Sequence, residues 1–135
     1  MANTYYSYLA FIAPNSDANL IALKNNLDAF YEPVTENKPA IVLKSDQINL
    51  VFEDDYRLYI EFSEEAYVNE EALEIAAEHK FDWNENSFDK AKLETCNKRF
   101  EVWGDDDFDM EYFNDSLYII EEIERFSDVI IFNMQ

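Results

Sequence analysis

Alternating apolar and polar side chains in two successive segments constrain the fold of this chain more than any other feature. The alternating apolar residues are Ile48, Leu50 and Phe52 in the first segment, then Leu58, Ile60 and Phe62 in the second. A period of two is typical of strands that turn one face to a core. Ala40–Leu43 precedes them as a further short strand, and the connections Lys44–Gln47 and Glu53–Tyr56 are short and polar, as in hairpins. Residues 40–62 are therefore predicted to form a three-stranded antiparallel meander.

The segment before the meander predicts a strand followed by a helix. Thr4–Ile12 is rich in Tyr, Phe, Leu and Ile, which is typical of a buried strand. Ser16 or Asp17 is predicted to cap the helix, in which apolar residues recur at helical spacing from Leu20 to Phe30. Pro33 is expected to end it, because proline disfavours the helical state in the residue before it.

The segment after the meander predicts further helices and two more strands. Asn69 is expected to cap a helix over Glu70–Lys80, with an apolar stripe that includes Leu73. The remaining predicted elements are a short helix over Phe88–Thr95, a strand over Lys98–Trp103, a helix over Asp115–Phe126 and a last strand, Val129–Met134, inside the sheet.

This order of elements predicts a single α+β domain over residues 1–135. We expect a mostly antiparallel mixed sheet of about six strands, with the helices packed on one face. The closing strand–helix–strand unit most simply gives a parallel pair joined by a right-handed crossover.

A strong excess of negative charge bounds the partners. The chain has 30 acidic and 10 basic residues among 135, for a formal net charge of −20, and its apolar fraction of 48% is enough for a folded core. Of that charge, −18 belongs to residues 51–135 and −2 to residues 1–50. Such a surface repels nucleic acid and anionic membranes and attracts basic proteins.

The sequence also predicts a cytoplasmic protein. One cysteine, Cys96, excludes an internal disulfide and is typical of a reducing compartment. The first residues have no basic segment of the kind that begins a signal peptide. No apolar run approaches the roughly 18 residues that a membrane span needs.

The most distinctive stretch is Trp103–Phe113, which contains the only glycine, Gly104, together with five carboxylates and four aromatic rings. Interfaces are enriched in aromatic residues, and charges of one sign accelerate association with an oppositely charged partner. We expect Phe113 to point into the core. The residues predicted to bind a partner are Trp103, Asp105, Asp106, Asp107, Phe108, Asp109, Glu111 and Tyr112, with Glu53, Asp54, Asp55 and Tyr56 on a hairpin. A further acidic and aromatic cluster is Glu61–Tyr67.

Catalytic, nucleotide and metal sites find little support in the sequence, so we predict no enzyme activity, no cofactor and no metal. His79, the only histidine, is expected at a helix end, and Cys96 is expected to be an ordinary thiol. One glycine followed by aspartates does not form a phosphate loop. Asp105, Asp107 and Asp109 are spaced like calcium ligands, but Met110 stands where the loop needs glycine and Ser116 where it needs glutamate.

The sequence therefore favours a small protein that binds and inhibits a basic protein, most specifically an immunity protein that neutralises a bacterial nuclease toxin. One alternative is a mimic of nucleic acid (a DNA mimic) that blocks a restriction or CRISPR nuclease. Evenly spaced carboxylates over a long surface would favour mimicry, whereas a single acidic patch would favour the immunity protein. Another alternative is a non-catalytic regulatory or adaptor domain. The sequence leaves the oligomeric state open.

Overall fold

The computed structural model describes residues 6–78 and 87–134, with side chains in the second range from Lys90 onward. Within these ranges the chain forms six strands and four helices. In chain order they are β1 (Ser7–Ile12), α1 (Leu20–Tyr31), β2 (Ala40–Lys44), β3 (Gln47–Val51), β4 (Arg57–Ser63), α2 (Ala66–Ala77), α3 (Ser87–Thr95), β5 (Lys98–Gly104), α4 (Phe113–Glu124) and β6 (Val129–Asn133). None of these helices is long and apolar enough to cross a membrane.

All six strands join one sheet in the order β2-β3-β4-β5-β1-β6, and every neighbouring pair is antiparallel. This confirms the predicted α+β fold with a six-stranded sheet. The meander is confirmed as well, because Leu50 lies opposite Leu58 and Ile48 opposite Ile60. All four of these side chains are fully buried, so the period of two identified the core face correctly.

The end of the chain is arranged differently from the prediction. Strands β5 and β6 both pair with β1, which lies between them, so they run parallel to each other without pairing. The expected parallel pair is therefore wrong. The predicted last strand is confirmed as β6, but its predicted position inside the sheet is wrong, because β6 is an edge strand with half-buried apolar residues. Its apolar side chains are only half covered because no strand lies beyond β6.

The helices cover both faces of the sheet, which corrects the expected one-face arrangement. Along β1, Ala10 and Ile12 pack in the larger core with α1 and α4, whereas Leu9 and Phe11 pack in a second core with α2 and α3. The physical reason is that β1 is apolar at consecutive positions and must be covered on both sides. Within the described residues, the second face of β2, β3 and β4 contributes no side chain to either core.

Two helix caps also differ from the prediction. Asn19, rather than Ser16 or Asp17, caps α1 by accepting the Ala22 backbone N–H at 2.8 Å. The Ser16 and Asp17 side chains instead hydrogen-bond Ser127, which ties the start of α1 to the loop before β6. The predicted end of this helix before Pro33 is confirmed, since α1 ends at Tyr31 and Glu32 is its C-cap.

Helix α2 begins earlier than predicted. It starts at Ala66, so Asn69 lies inside the helix, where its amide donates to the backbone carbonyls of Glu94 and Cys96. The expected stripe residue Leu73 is 44% exposed, while the buried face of α2 is Val68, Ala72, Ile75 and Ala76. The predicted end of this helix, with His79 and Lys80, lies outside the described residues.

Candidate functional site

Two of the predicted acidic clusters meet at one end of the sheet. The rings of Tyr56 and Tyr112 stack at 4.1 Å with an interplanar angle of 6°. The Tyr112 hydroxyl donates to Asp54 Oδ1 at 2.7 Å and so connects the β3–β4 turn to the segment after β5. We call residues 53–56 together with residues 105–113 the acidic end.

Gly104 lets the backbone pass close to the rings that build the acidic end. A Cβ atom at this position would stand 2.6 Å from the Tyr56 hydroxyl oxygen, 2.7 Å from Leu58 Cδ2 and 3.4 Å from Tyr6 Cδ2. The first two distances are shorter than any normal contact. Close packing is therefore what requires the only glycine of the chain, since Gly104 does not have a positive φ.

Asp105 serves the fold rather than the surface. Its carboxylate accepts the Arg57 backbone N–H at 3.1 Å and the Tyr59 hydroxyl at 3.0 Å. Its backbone carbonyl accepts the Tyr56 hydroxyl at 2.9 Å. These bonds extend the pairing of β4 with β5 by one residue, so both carboxylate oxygens of this predicted contact residue accept hydrogen bonds within the protein.

Asp107 is buried, with 7% of its surface exposed, and it organises the loop before α4. It accepts the Tyr6 hydroxyl at 2.6 Å and the backbone N–H groups of Glu111 and Tyr112 at 3.0 and 2.8 Å. A buried carboxylate needs such donors to remain charged at modest cost. Its partners hold a turn in which Met110 adopts a positive φ of 56°.

Four aspartates in and beside the acidic end accept hydrogen bonds from tyrosine hydroxyls. The pairs are Tyr6 with Asp107, Tyr31 with Asp115, Tyr59 with Asp105 and Tyr112 with Asp54, at 2.6–3.0 Å. Burial, with help from the neighbouring carboxylate, raises the pKa of each tyrosine, and that of Tyr112 to about 12. The phenols therefore stay protonated and donate at neutral pH.

Tyr112 is buried although the sequence favoured it as an anchor for a partner. Only 2% of its surface is exposed, and its ring packs 4.5 Å from that of Phe52. The Asn37 amide donates to its hydroxyl at 3.0 Å. The hydrogen bond from Tyr112 lowers the pKa of Asp54. Tyr112 thus links the two clusters from inside the protein.

The remaining residues of the loop face outward. Phe108 and Met110 are 78% and 55% exposed, and Phe113, which we expected in the core, is 37% exposed beside the Tyr6 ring. The Phe113 ring lies 6.1 Å from the buried Tyr6 ring, which occupies the core at this position. The exposed carboxylates around these apolar side chains are Asp106, Asp109 and Glu111 in the loop, with Glu53 and Asp55 on the facing turn.

Trp103 lies apart from the loop that follows it. It is half-buried and stacks on Tyr59 at 5.1 Å, on the sheet face opposite the core that contains Tyr112. Asp55 has a positive φ of 69° and forms an exposed ion pair with Arg57 at 3.1 Å. Of the twelve predicted contact residues, seven are exposed at the surface: Glu53, Asp54, Asp55, Asp106, Phe108, Asp109 and Glu111, of which Asp54 accepts the Tyr112 hydroxyl.

The third acidic cluster, residues 61–67, lies at the opposite end of β4, about 20 Å away for six residues of strand. Arg99 is buried beneath it, where it forms ion pairs with Glu71 and with Glu101 and stacks on the Tyr67 ring at 5.5 Å. Arg99 thus contacts this cluster through the Tyr67 ring, while its ion pairs are with carboxylates outside the cluster.

The structure has a groove beside the acidic end that the sequence did not predict. It has a volume of about 370 Å³ and lies between the end of α1, the loop after it and the start of α4. Its lining includes Phe30, Tyr31, Asn37, Asp115 and Tyr118. The spacing of Asp115 and Tyr118, three apart on one predicted helix, was the only available signal, because the α1 residues are some 85 positions away.

Neither the thiol nor the acidic residues of the described ranges form a recognisable metal site. Cys96 is buried in the second core, and burial raises its pKa to about 11, so the thiol stays protonated. No group of three or more Asp, Glu, His or Cys residues suited to a metal ion occurs in the described ranges. Asp105 and Asp107 point to different internal donors instead of converging.

Comparisons with models of known protein families, with curated proteins and with solved structures find nothing that matches this chain, so the proposals below rest on its geometry alone.

Proposed function

We propose that this protein is a non-catalytic inhibitor that binds a basic protein through the acidic end. The observation that supports this most is that one short loop exposes three large apolar side chains, Phe108, Met110 and Phe113, and that the exposed carboxylates Asp109 and Glu111 alternate with them in the chain. Isolated exposed apolar residues are common on protein surfaces, but several in one short loop, next to exposed charged residues, are typical of a protein-binding site.

The loop is built to present these side chains. Met110 is the only large apolar residue among the described non-glycine residues with positive φ, a conformation that costs roughly 1–3 kcal/mol. The Asp107 carboxylate holds that turn through the N–H groups of Glu111 and Tyr112. A preformed loop loses little conformational entropy on binding, so its exposed apolar surface is available to a partner.

The charged residues of this loop and of the following helix α4 are all acidic. From Gly104 to Glu124 the chain contains no lysine, arginine or histidine, and the nearest described basic side chain across the turn, Arg57, is paired with Asp55. Such a field steers a basic partner and raises its association rate at low salt. The proposed contact therefore combines electrostatic steering at the rim with apolar packing at the centre.

The more specific proposal is an immunity protein that neutralises a nuclease toxin in the bacterial cytoplasm. A nuclease binds phosphates with Lys and Arg side chains, and an acidic loop with an apolar centre fits such a groove by charge. Clusters 53–55 and 105–111 meet through the hydrogen bond from Tyr112 to Asp54, whereas cluster 61–67 lies about 20 Å away at the other end of β4. A single patch supports this proposal over a mimic of nucleic acid, which would need carboxylates spaced along an extended surface.

An inhibition assay against purified basic nuclease domains tests the proposal, with non-nuclease proteins of matched positive charge as controls. The protein should inhibit at least one nuclease, and the double variant F108S/M110S should weaken that inhibition strongly because it removes the apolar centre. The matched control is I21S/L73S, which removes two apolar side chains that are 65% and 44% exposed on other helices.

Two results would contradict the proposal. Equal losses in F108S/M110S and I21S/L73S would show that the acidic end is not the contact surface. Tight binding to a nuclease that leaves its activity unchanged would exclude inhibition and favour an adaptor. Inhibition of several unrelated nucleases, weakened by neutralising any of the three acidic clusters, would instead favour mimicry of nucleic acid.

A further inference from the structure

The groove beside the acidic end combines aromatic walls with a carboxylate. The Phe30 ring lies 4.8 Å from that of Tyr118 and 5.0 Å from that of Tyr31, so three rings stand side by side. Asp115 is half-buried among them. The volume, about 370 Å³, is within the range of known ligand pockets, roughly 300–1,000 Å³.

The carboxylate in this groove is only partly satisfied by the protein. Oδ1 of Asp115 accepts the Tyr31 hydroxyl at 2.6 Å, and the other hydrogen bond to this carboxylate within residues 6–78 and 87–134 comes from its own backbone N–H. Burial raises the pKa of Asp115, and repulsion from Asp107 adds to this. The lining includes a second acid, Glu36, which is exposed, and no basic residue. A cation entering the groove would therefore relieve an unfavourable negative charge.

We propose that this groove receives the guanidinium group of an arginine side chain, presented by the basic partner of the proposed function on which this inference rests. A guanidinium is planar and weakly hydrated, so it stacks on aromatic rings while its N–H groups bond a carboxylate. Lysine ammonium is more strongly hydrated and does not stack, so it fits this combination less well.

The groove and the acidic end are continuous through Asn37. The Asn37 amide nitrogen donates to the Tyr112 hydroxyl at 3.0 Å, and its oxygen accepts the Glu53 backbone N–H at 3.0 Å. Asn37 itself has a positive φ of 48°, which asparagine tolerates better than most residues. A partner that covers Phe108 and Met110 can thus place an arginine in the groove within the same interface.

A titration of the full chain with N-acetyl-arginine amide, followed by NMR, tests the groove without the partner. The neutral isostere N-acetyl-citrulline amide is the control for shape, and N-acetyl-lysine amide is the control for charge. We expect the arginine probe to shift the ring resonances of Phe30, Tyr31 and Tyr118. The lysine probe should shift them less at equal concentration, and the citrulline probe should leave them unchanged.

Two variants and one control complete the test. D115N keeps the shape and an acceptor for Tyr31, and should weaken arginine binding about tenfold, the usual effect of losing one charged hydrogen bond. Y118L keeps an apolar wall without its π face and should weaken binding less. The control E64Q removes one exposed charge from the distant third cluster and should leave the arginine affinity unchanged.

Equal shifts with arginine and citrulline, or equal affinity in D115N and the unmodified protein, would overturn the groove assignment. If D115N does not fold, Y118L decides the outcome in the same way. The proposed function fails separately: unchanged nuclease inhibition by F108S/M110S would contradict it even if arginine binds the groove. Conversely, if arginine does not bind the groove, the inhibition assay can still support the acidic end as the contact surface.

Discussion

The inward and outward side chains of residues 105–113 have similar compositions and opposite roles. Asp105, Asp107 and Tyr112 point into the protein. Asp105 accepts the Arg57 backbone N–H in the sheet, Asp107 accepts the Tyr112 backbone N–H, and the Tyr112 hydroxyl donates to Asp54 in the β3–β4 turn. Phe108 and Met110 point into solvent. Asp105 and Asp107 are therefore structural, because they accept hydrogen bonds from tyrosine hydroxyls and backbone N–H groups, whereas the exposed Asp109 is a candidate for binding. Composition alone does not distinguish the two sets.

Alkaline pH should break the hydrogen bonds from the tyrosine hydroxyls to the carboxylates, and this should produce the largest loss in the free energy of unfolding. The pKa values of Tyr6, Tyr31, Tyr59 and Tyr112 are raised in the folded protein, so below about pH 10 both states hold these protons and the stabilisation is complete. Above that pH the unfolded chain loses protons first, so the free energy of unfolding falls as pH rises.

Denaturant unfolding at increasing pH, followed together with tyrosinate absorbance, checks this expectation. Tyrosinate should appear in the same transition as unfolding. The variant Y6F removes one of the raised groups, so its stability should fall less steeply with pH. Gradual tyrosine ionisation in a protein that remains folded would contradict the account.

Replacing Asp107 should have the largest effect of any single substitution in the loop. D107A leaves the buried Tyr6 hydroxyl and two backbone N–H groups without their acceptor, so we expect a loss of about 3 kcal/mol or more in the free energy of unfolding. The matched outward variant D109A should change it by less than ~0.5 kcal/mol. Chemical denaturation of both variants measures the difference, and similar values would show that the two sets are not distinct.

A substitution at Gly104 tests the inward side chains through the backbone that they pack against. G104A places a methyl group against the Tyr56 hydroxyl and Leu58, so we expect it to destabilise the fold by about 1–3 kcal/mol. Because the Tyr56–Tyr112 stack must shift, amide hydrogen exchange should also accelerate in residues 105–113. Unchanged stability and exchange would mean that the rings relax without cost.

The sequence predicted the sheet better than the layers around it. The alternation of Ile48, Leu50, Leu58 and Ile60 was sufficient for the meander because each strand pairs with its neighbour in the chain. The two-sided helix packing was missed, although the unbroken apolar run of β1 was a signal for it. The Asn69 cap was wrong because its amide is used in a contact with residues 25 and 27 positions away.

The candidate site could be predicted only in composition. The acidic and aromatic character of residues 103–113 was evident, and so was the hairpin cluster. Which aspartates turn inward depends on the bonds from Tyr6 to Asp107 and from Tyr31 to Asp115, which span 101 and 84 positions. Local patterns contain no information about such pairings. The groove was missed for the same reason.

The most direct test of the central claim is the affinity of an arginine-rich peptide for two charge-matched variants, measured calorimetrically at low salt. D106N/D109N/E111Q neutralises the outward carboxylates of the acidic end, and E61Q/E64Q/E65Q neutralises the third cluster. Both should keep the stability of the unmodified protein to within ~0.5 kcal/mol. The account predicts about tenfold weaker binding for the first and little change for the second. Equal weakening of both, or none for the first, would contradict it.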